Sequence, residues 1–288
     1  MSGLLLSLKS ERPLAVRGDG AWLYDADGNA YLDGSSGAVA ANLGHGVAEV
    51  ADALSAQARQ VGFAHRSQFR NRPAEELARR LAEWTGGRLP YALLTTGGSE
   101  AVEAAIQLAL RYHAARGEPH RTIVLSRHMS YHGATLGARS AGGNPARRAP
   151  YASLLHNWPQ VHAPYCYRCP LQLRPDSCES ACLSSLEDAI TSHGARRIAA
   201  FIAEPVTGAS AGALRPPPGY YERVREACDR HGVLFIADEV MAGAGRTGKP
   251  FSHQHWGASP DLVTFGKGIS GGYVPLAGVL CSRAVGEA

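Results

Sequence analysis

Three short stretches of this sequence set reactive residue types at spacings that could do chemistry. In Leu262-Val263-Thr264-Phe265-Gly266-Lys267-Gly268-Ile269, a lysine stands between glycines directly after an apolar run. A surface lysine needs no such cramped setting, whereas a partly buried amine can form a Schiff base with a carbonyl. The plainer alternative is an exposed turn lysine. In Val233-Leu234-Phe235-Ile236-Ala237-Asp238-Glu239-Val240, an apolar run ends in two acids. Adjacent side chains on a strand point opposite ways, so Asp238 and Glu239 cannot share one role. A carboxylate in that position can hold a protonated ring nitrogen or a metal, or it can cap a helix or make a structural ion pair. Thr95-Thr96-Gly97-Gly98-Ser99-Glu100 joins a strand to a helix, with Ser99 where it can act as N-cap. Exposed amides, a hydroxyl and a positive helix end suit a phosphate. An ordinary capped helix would read the same way.

The elements that must carry these residues are short apolar runs at Tyr91–Thr95, Thr122–Ser126, Ala199–Ala203, Val233–Ala237 and Leu262–Phe265. Helical stretches lie between several of them, most clearly Ser99–Ala115 and Gly219–His231. Strands that are apolar throughout and alternate with helices predict an α/β fold, with a mainly parallel sheet and helices on both faces. Ligands of such sheets bind beyond the carboxyl ends of the strands, where all three reactive stretches fall. Upstream, residues 11–46 are polar and turn-rich. The short apolar pieces Trp22–Tyr24 and Tyr31–Leu32 predict a small antiparallel hairpin there. Helices are expected over Val47–Arg59 and Pro73–Trp84, and an irregular surface excursion over 140–183.

Composition narrows the class. The 288 residues are 45% hydrophobic and 19% charged, which is globular. The 33 glycines, about 11% of the chain against roughly 7% on average, imply many turns or close backbone approaches to a ligand. A net charge of +4 is too weak to imply nucleic acid or a membrane surface. The Arg–Arg pairs at 79–80, 147–148 and 196–197 read as solvated faces. The longest early apolar run, Leu4–Leu6, is too short for a signal sequence or a membrane helix. A soluble cytoplasmic protein is expected.

A phosphate cradle, an acid for a ring nitrogen and a Schiff-base lysine are together what pyridoxal phosphate requires. The chain resembles the class III aminotransferases of the fold-type I pyridoxal-phosphate superfamily over nearly its whole length. The matching text runs through Gly44-His45-Gly46, Gly98-Ser99-Glu100-Ala101, Tyr131-His132-Gly133 and Glu204-Pro205-Val206. It continues with Asp238-Glu239-Val240, Gly245-Arg246-Thr247-Gly248 and Lys267-Gly268-Ile269-Ser270-Gly271-Gly272. The resemblance implies roles residue by residue. Lys267 would bind pyridoxal 5'-phosphate as a Schiff base and then shuttle the substrate proton, and Asp238 would pair with the pyridinium nitrogen. Gly98 and Ser99 would hold the phosphate. Tyr131 would stack on the ring, Val240 would pack its other face, His132 would support that wall, and Glu204 would lie near the ring hydroxyl. Position 97 departs from the family pattern, with glycine where serine is frequent, which removes one hydroxyl from the cradle but keeps its amides.

Other patterns point elsewhere. Gly243-Ala244-Gly245-Arg246-Thr247-Gly248 satisfies G-x-G-x-x-G, but Lys249-Pro250 and a loop follow it instead of a helix, which argues against a dinucleotide site. Read as a Walker motif, it has Pro250 where a magnesium-binding hydroxyl is needed. Of six cysteines, Cys166, Cys169, Cys178 and Cys182 follow the spacing C-x2-C-x8-C-x3-C, which could make a zinc site or stand as reduced thiols. His253 and His255 read as surface-loop residues.

The resemblance implies transfer of an amino group from a primary amine or amino acid to a 2-oxo acid by a ping-pong mechanism, in a homodimer. An aminomutase, racemase or decarboxylase could use the same motifs. A non-catalytic relative that keeps the fold is the reading from another class, and a metal-binding module around 166–182 is a third. Residues 1–60 would contribute to a small α+β domain, and 61–288 would form the cofactor-binding large domain. The text stops at Ala288, soon after the strand-like Leu276–Cys281, whereas family members continue. A fragment with weak cofactor affinity is therefore expected, the alternative being a naturally minimal enzyme.

Overall fold

The structure is a computed structural model that describes residues 12–174, 178 and 181–288; the Leu4–Leu6 run lies outside the described residues. Near the start of the chain, β1 (Ala15–Asp19), β2 (Trp22–Asp25) and β3 (Ala30–Leu32) pair antiparallel in that order. The turn between β2 and β3 is held by Asp25. Its carboxylate accepts from the amides of Asp27 (3.0 Å) and Asn29 (2.8 Å), from Asn29 Nδ2 (3.0 Å) and from the Tyr31 hydroxyl (2.8 Å). The expected hairpin is thus present with an additional strand. Ala15-Val16-Arg17-Gly18-Asp19 has no apolar alternation to announce it, and no residue of it is buried. Helices Ala48–Gln60 and Arg72–Trp84 follow. Pro73 sits in the first turn of the second, and Asn71 caps it by accepting from the Ala74 amide at 3.3 Å.

The second sheet has seven strands: β4 (Tyr91–Thr95), β5 (Ile123–Arg127), β6 (Gln160–Val161), β7 (Ile198–Ala203), β8 (Leu234–Asp238), β9 (Leu262–Phe265) and β10 (Ala277–Cys281). Their spatial order is β4-β10-β9-β8-β7-β5-β6. The pairings from β6 across to β9 are parallel, and β10 runs antiparallel to both its neighbours. The sheet is therefore mainly parallel with one reversed strand.

Period-two geometry explains why these strands are apolar throughout. Phe201, Phe235, Val263 and Leu280 point to one side, where helices Ser184–Ser192 and Tyr220–His231 add Leu186, Ile190, Tyr221 and Val224. Ala200, Ile202, Ile236 and Val279 point to the other, against Val102, Ala105 and Ala109 of helix Gly98–Ala115. Every residue of β5, β7, β8, β9 and β10 is buried. One correction concerns 140–183, which contributes β6 to the sheet edge and buries Val161 and Ala163, so it is more than a surface excursion.

Candidate active site

Strands β5, β8 and β9 end on the same side of the sheet, and the loops that leave them enclose a cavity of about 580 Å³. That volume lies within the roughly 300–1,000 Å³ of small-molecule sites. All eight residues singled out from the sequence line it: Gly98, Ser99, Tyr131, His132, Glu204, Asp238, Val240 and Lys267.

Lys267 follows β9 directly and is half-buried. Its φ of 47° places a side-chain-bearing residue in the left-handed region, a strain of about 1–3 kcal/mol that surrounding structure must hold. That support comes from the early part of the chain. Asn42 lies against Gly268 and Leu43 against Gly271. The Tyr273 hydroxyl accepts from the Val47 amide at 2.8 Å and donates to the Gly44 carbonyl at 3.0 Å.

Asp238 closes β8 and is buried. Its Oδ1 accepts from the Val240 amide (3.1 Å) and from the Thr264 hydroxyl on neighbouring β9 (3.0 Å), and Oδ2 lies 2.6 Å from His132 Nδ1. The far nitrogen of that imidazole, Nε2, is buried without a partner among the described residues. Glu239 takes the opposite face, as strand geometry requires. It accepts from the Ser252 amide (2.9 Å) and hydroxyl (2.6 Å), and from the His253 amide (2.7 Å) and Nδ1 (3.0 Å). His253 is accordingly buried and not the surface-loop residue expected, because a buried carboxylate needed its donors; His255 is exposed.

Glu204 follows β7. Its Oε2 accepts from the Tyr131 amide (3.1 Å) and Oε1 from the Gly208 amide (3.0 Å), so one carboxylate ties together two loops of the wall. Burial raises its carboxyl above the ordinary value of 4.5. Beneath it lies the fully buried Arg127 at the end of β5, which donates to the Glu204 main-chain oxygen and to the Tyr221 hydroxyl (3.1 Å). No local signal in the sequence marked Arg127.

The glycine-rich turn after β4 departs from expectation in one respect. Gly97 is the N-cap and the helix begins at Gly98, so Ser99 is already inside the first turn. Its hydroxyl is therefore free to accept from the Ala134 amide at 2.9 Å instead of capping. A Cβ on Gly98 would stand 2.6 Å from Val240 Cγ1, and one on Gly133 would stand 2.7 Å from Ser99 Oγ. Neither position has room for a side chain.

Arg147 was also missed. The 147–148 pair was expected on a solvated face; Arg147 is exposed as expected but also lines the cavity over the Tyr131 ring, and the half-buried Arg148 donates to the carbonyls of Arg139 (3.2 Å) and Gly142 (3.0 Å). Away from the cavity, Gly243 to Gly248 form turns that open no α-helix; only the short 3-10 turn Ser252–His255 follows. Cys166, Cys169 and Cys182 are free thiols, and burial is the main cause that pushes Cys182 up to about 11. Among the described residues no group of three or more His, Cys, Asp or Glu side chains is placed to hold a metal ion.

This geometry has relatives. A family model described as Aminotransferase class-III matches residues 8–288. The chain is 43% identical over 289 residues to the uncharacterized aminotransferase YodT of Bacillus subtilis, covering 100% of this chain and 65% of the relative. It is 38% identical over 282 residues to the adenosylmethionine-8-amino-7-oxononanoate aminotransferase of Geobacter sulfurreducens, covering 97% and 62%. Among solved structures, an (S)-enantioselective omega-transaminase from Thermomicrobium roseum superposes with a TM-score of 0.91 at 41% identity, covering 96% of this chain and 61% of that one. An amine transaminase from an uncultivated Pseudomonas species, in its PLP-bound form, gives 0.93 at 37% identity, covering 100% and 66%. The chain spans less than two thirds of the length of either curated relative.

Proposed function

This chain belongs to the class III aminotransferases, a family that works with pyridoxal phosphate, and on that premise we propose that its cavity serves transfer of an amino group from a primary amine or amino acid to a 2-oxo acid by a ping-pong sequence. The observation that carries the reading is the placement of Lys267 and Asp238 on the walls of one cavity, with the acid already fixed by three donors.

The residues present fit the cofactor. An amine, a buried acid and a cradle too tight for any Cβ at Gly98 or Gly133 all border the same space. The buried His132 Nε2 is an orphan polar atom beside them, as a site shaped around a further polar group would leave it.

When bound, the cofactor supplies an electrophilic carbon for the amine and a protonated ring that draws electrons from the substrate carbon. Lys267 would hold it through Nζ and, once displaced by the incoming amine, would move the proton at the substrate carbon with that same nitrogen. Asp238 would face the ring nitrogen. Its bonds to His132, Val240 and Thr264 fix the carboxylate's direction, so little reorganisation accompanies the reaction. Ser99 and the amides beside Gly98 would receive the phosphate at the start of helix Gly98–Ala115. Tyr131 and Val240 would wall the two ring faces and exclude water. Glu204, which holds the Tyr131 amide, would set the position of the first wall.

The proposal extends to assembly and organisation. A division into a small domain drawing on 1–60 and a large domain over 61–288 is supported by the separate sheets before residue 33 and after residue 90. A homodimer is supported by exposed Leu14, Leu32, Phe63 and Phe69, apolar side chains that a second subunit would cover. No described helix is long and apolar enough to cross a membrane, and we place the reaction in the cytoplasm.

The test is product analysis in two stages. The PLP-loaded protein given an amine donor alone should release about one equivalent of the matching carbonyl compound and stop, as a ping-pong sequence demands. Addition of pyruvate or 2-oxoglutarate should restart it and yield the corresponding amino acid. Carbon dioxide, an inverted stereocentre or a migrated amino group without a carbonyl product would reject transamination in favour of another reaction on the same fold.

A further inference from the structure

Four charged side chains line the cavity: Asp238, Glu204, Lys267 and Arg147. Under the transamination reading, on which this inference rests, the first three are engaged. Asp238 faces the ring nitrogen, Lys267 holds the cofactor, and Glu204 is occupied by the amides of Tyr131 and Gly208. Arg147 has no such task. Its guanidinium carbon lies 4.6 Å from the centre of the Tyr131 ring, and among the described residues no carboxylate forms an ion pair with it.

The backbone that carries this guanidinium is held firmly. Asn144 Oδ1 accepts from the Arg147 amide at 3.2 Å, capping the short helix Pro145–Arg148. Arg139 donates to the Arg147 carbonyl (2.8 Å) and to the Ala134 carbonyl (3.4 Å), tying this helix to the loop that meets Ser99. The chain is thus locked while the charged tip stays unpaired beside the cavity. A guanidinium lying over an aromatic ring keeps its N–H edge open, and that planar fork matches both oxygens of a carboxylate.

We propose that Arg147 is a specificity-determining residue that receives the carboxylate of the substrate. The preferred partners are then acids, a 2-oxo acid in one direction and an amino acid in the other, over amines and ketones that lack a carboxylate. Arg147 takes no part in the proton movement and is separate from the groups that hold the cofactor.

The test uses unreactive probes on the PLP-loaded protein, with dissociation constants read by calorimetry. 3-Phenylpropionate supplies the carboxylate, and 3-phenylpropanol is its uncharged control. Arg147→Ala should weaken 3-phenylpropionate by about tenfold or more, as the loss of charge-assisted hydrogen bonds implies. Arg147→Lys should weaken it less, because one charge remains without the fork. 3-Phenylpropanol and PLP should bind the variants as they bind the parent. Equal weakening of both probes would make Arg147 a mere piece of wall, and no change in either would remove it from recognition. Weakened PLP uptake would assign Arg147 to the phosphate. Each of these results overturns the proposal while leaving transamination standing. Failure of the parent protein to take up PLP would instead remove the functional reading and this inference together.

Discussion

His132 Nδ1 lies 2.6 Å from Oδ2 of Asp238, and both side chains are buried at the end of β8. Because Thr264 and the Val240 amide occupy the other oxygen, the carboxylate is aimed before any ligand arrives. That arrangement makes the acid both a structural acceptor and a chemical group, and the two roles can be separated.

Replacing Asp238 with alanine leaves three donors without their acceptor, a stability loss of about 1–3 kcal/mol for each buried group left unpaired. It should also slow deprotonation of the substrate carbon by about a hundredfold or more, the usual effect of deleting a preorganised electrostatic partner. Asp238→Asn should recover much of the melting temperature and little of the rate. Stopped-flow measurement of the amine half-reaction checks this, and Asp238→Ala reacting at the parent rate would refute the assignment.

The Gly98–Val240 contact yields a paired prediction. An alanine at 98 would place its Cβ 2.6 Å from Val240 Cγ1, so the wall must shift at a cost of about 1–3 kcal/mol. PLP affinity should fall in Gly98→Ala and be partly restored when Val240→Ala is added, a coupling expected of residues in contact. Strictly additive losses in fluorescence titrations of the single and double variants would show that the two residues do not meet.

His113 provides the pH signature. It is buried in helix Gly98–Ala115 with Nε2 2.9 Å from the Ala199 carbonyl, and burial holds its pKa below the ordinary 6.5. A folded value below the unfolded one means that the folded chain resists protonation. The contribution to stability is full above about pH 6.5 and is lost as pH falls through the lower folded value. His113→Gln keeps a side-chain N–H for Ala199 but cannot take up a proton. Its denaturation midpoint should therefore drop less than the parent's between about pH 7 and pH 5. Parallel profiles would contradict this.

Much of this was legible in the sequence, for identifiable reasons. Strands such as Ile198–Ala203 announce themselves because both faces are covered, and Lys267 stands out because its glycine neighbours have no surface purpose. The direction of β10 was not legible, since a buried strand reads the same parallel or antiparallel. β6 contributes only two residues, too few for any pattern. His253 and Arg147 escaped because their roles are set by partners distant along the chain. Glu239 draws the first into the core, and the Tyr131 ring receives the second.

The central claim concerns one amine. The chain contains three lysines, Lys9, Lys249 and Lys267. Lys249 Nζ is engaged at the surface with the Gln254 carbonyl at 2.8 Å, whereas Lys267 lines the cavity. The protein should be incubated with pyridoxal phosphate, reduced with borohydride, digested and mapped by mass spectrometry. The account predicts a single pyridoxyl label on Lys267, abolished by Lys267→Ala and retained in Asp238→Ala. A label on Lys249 or Lys9, or no label at all, would contradict it.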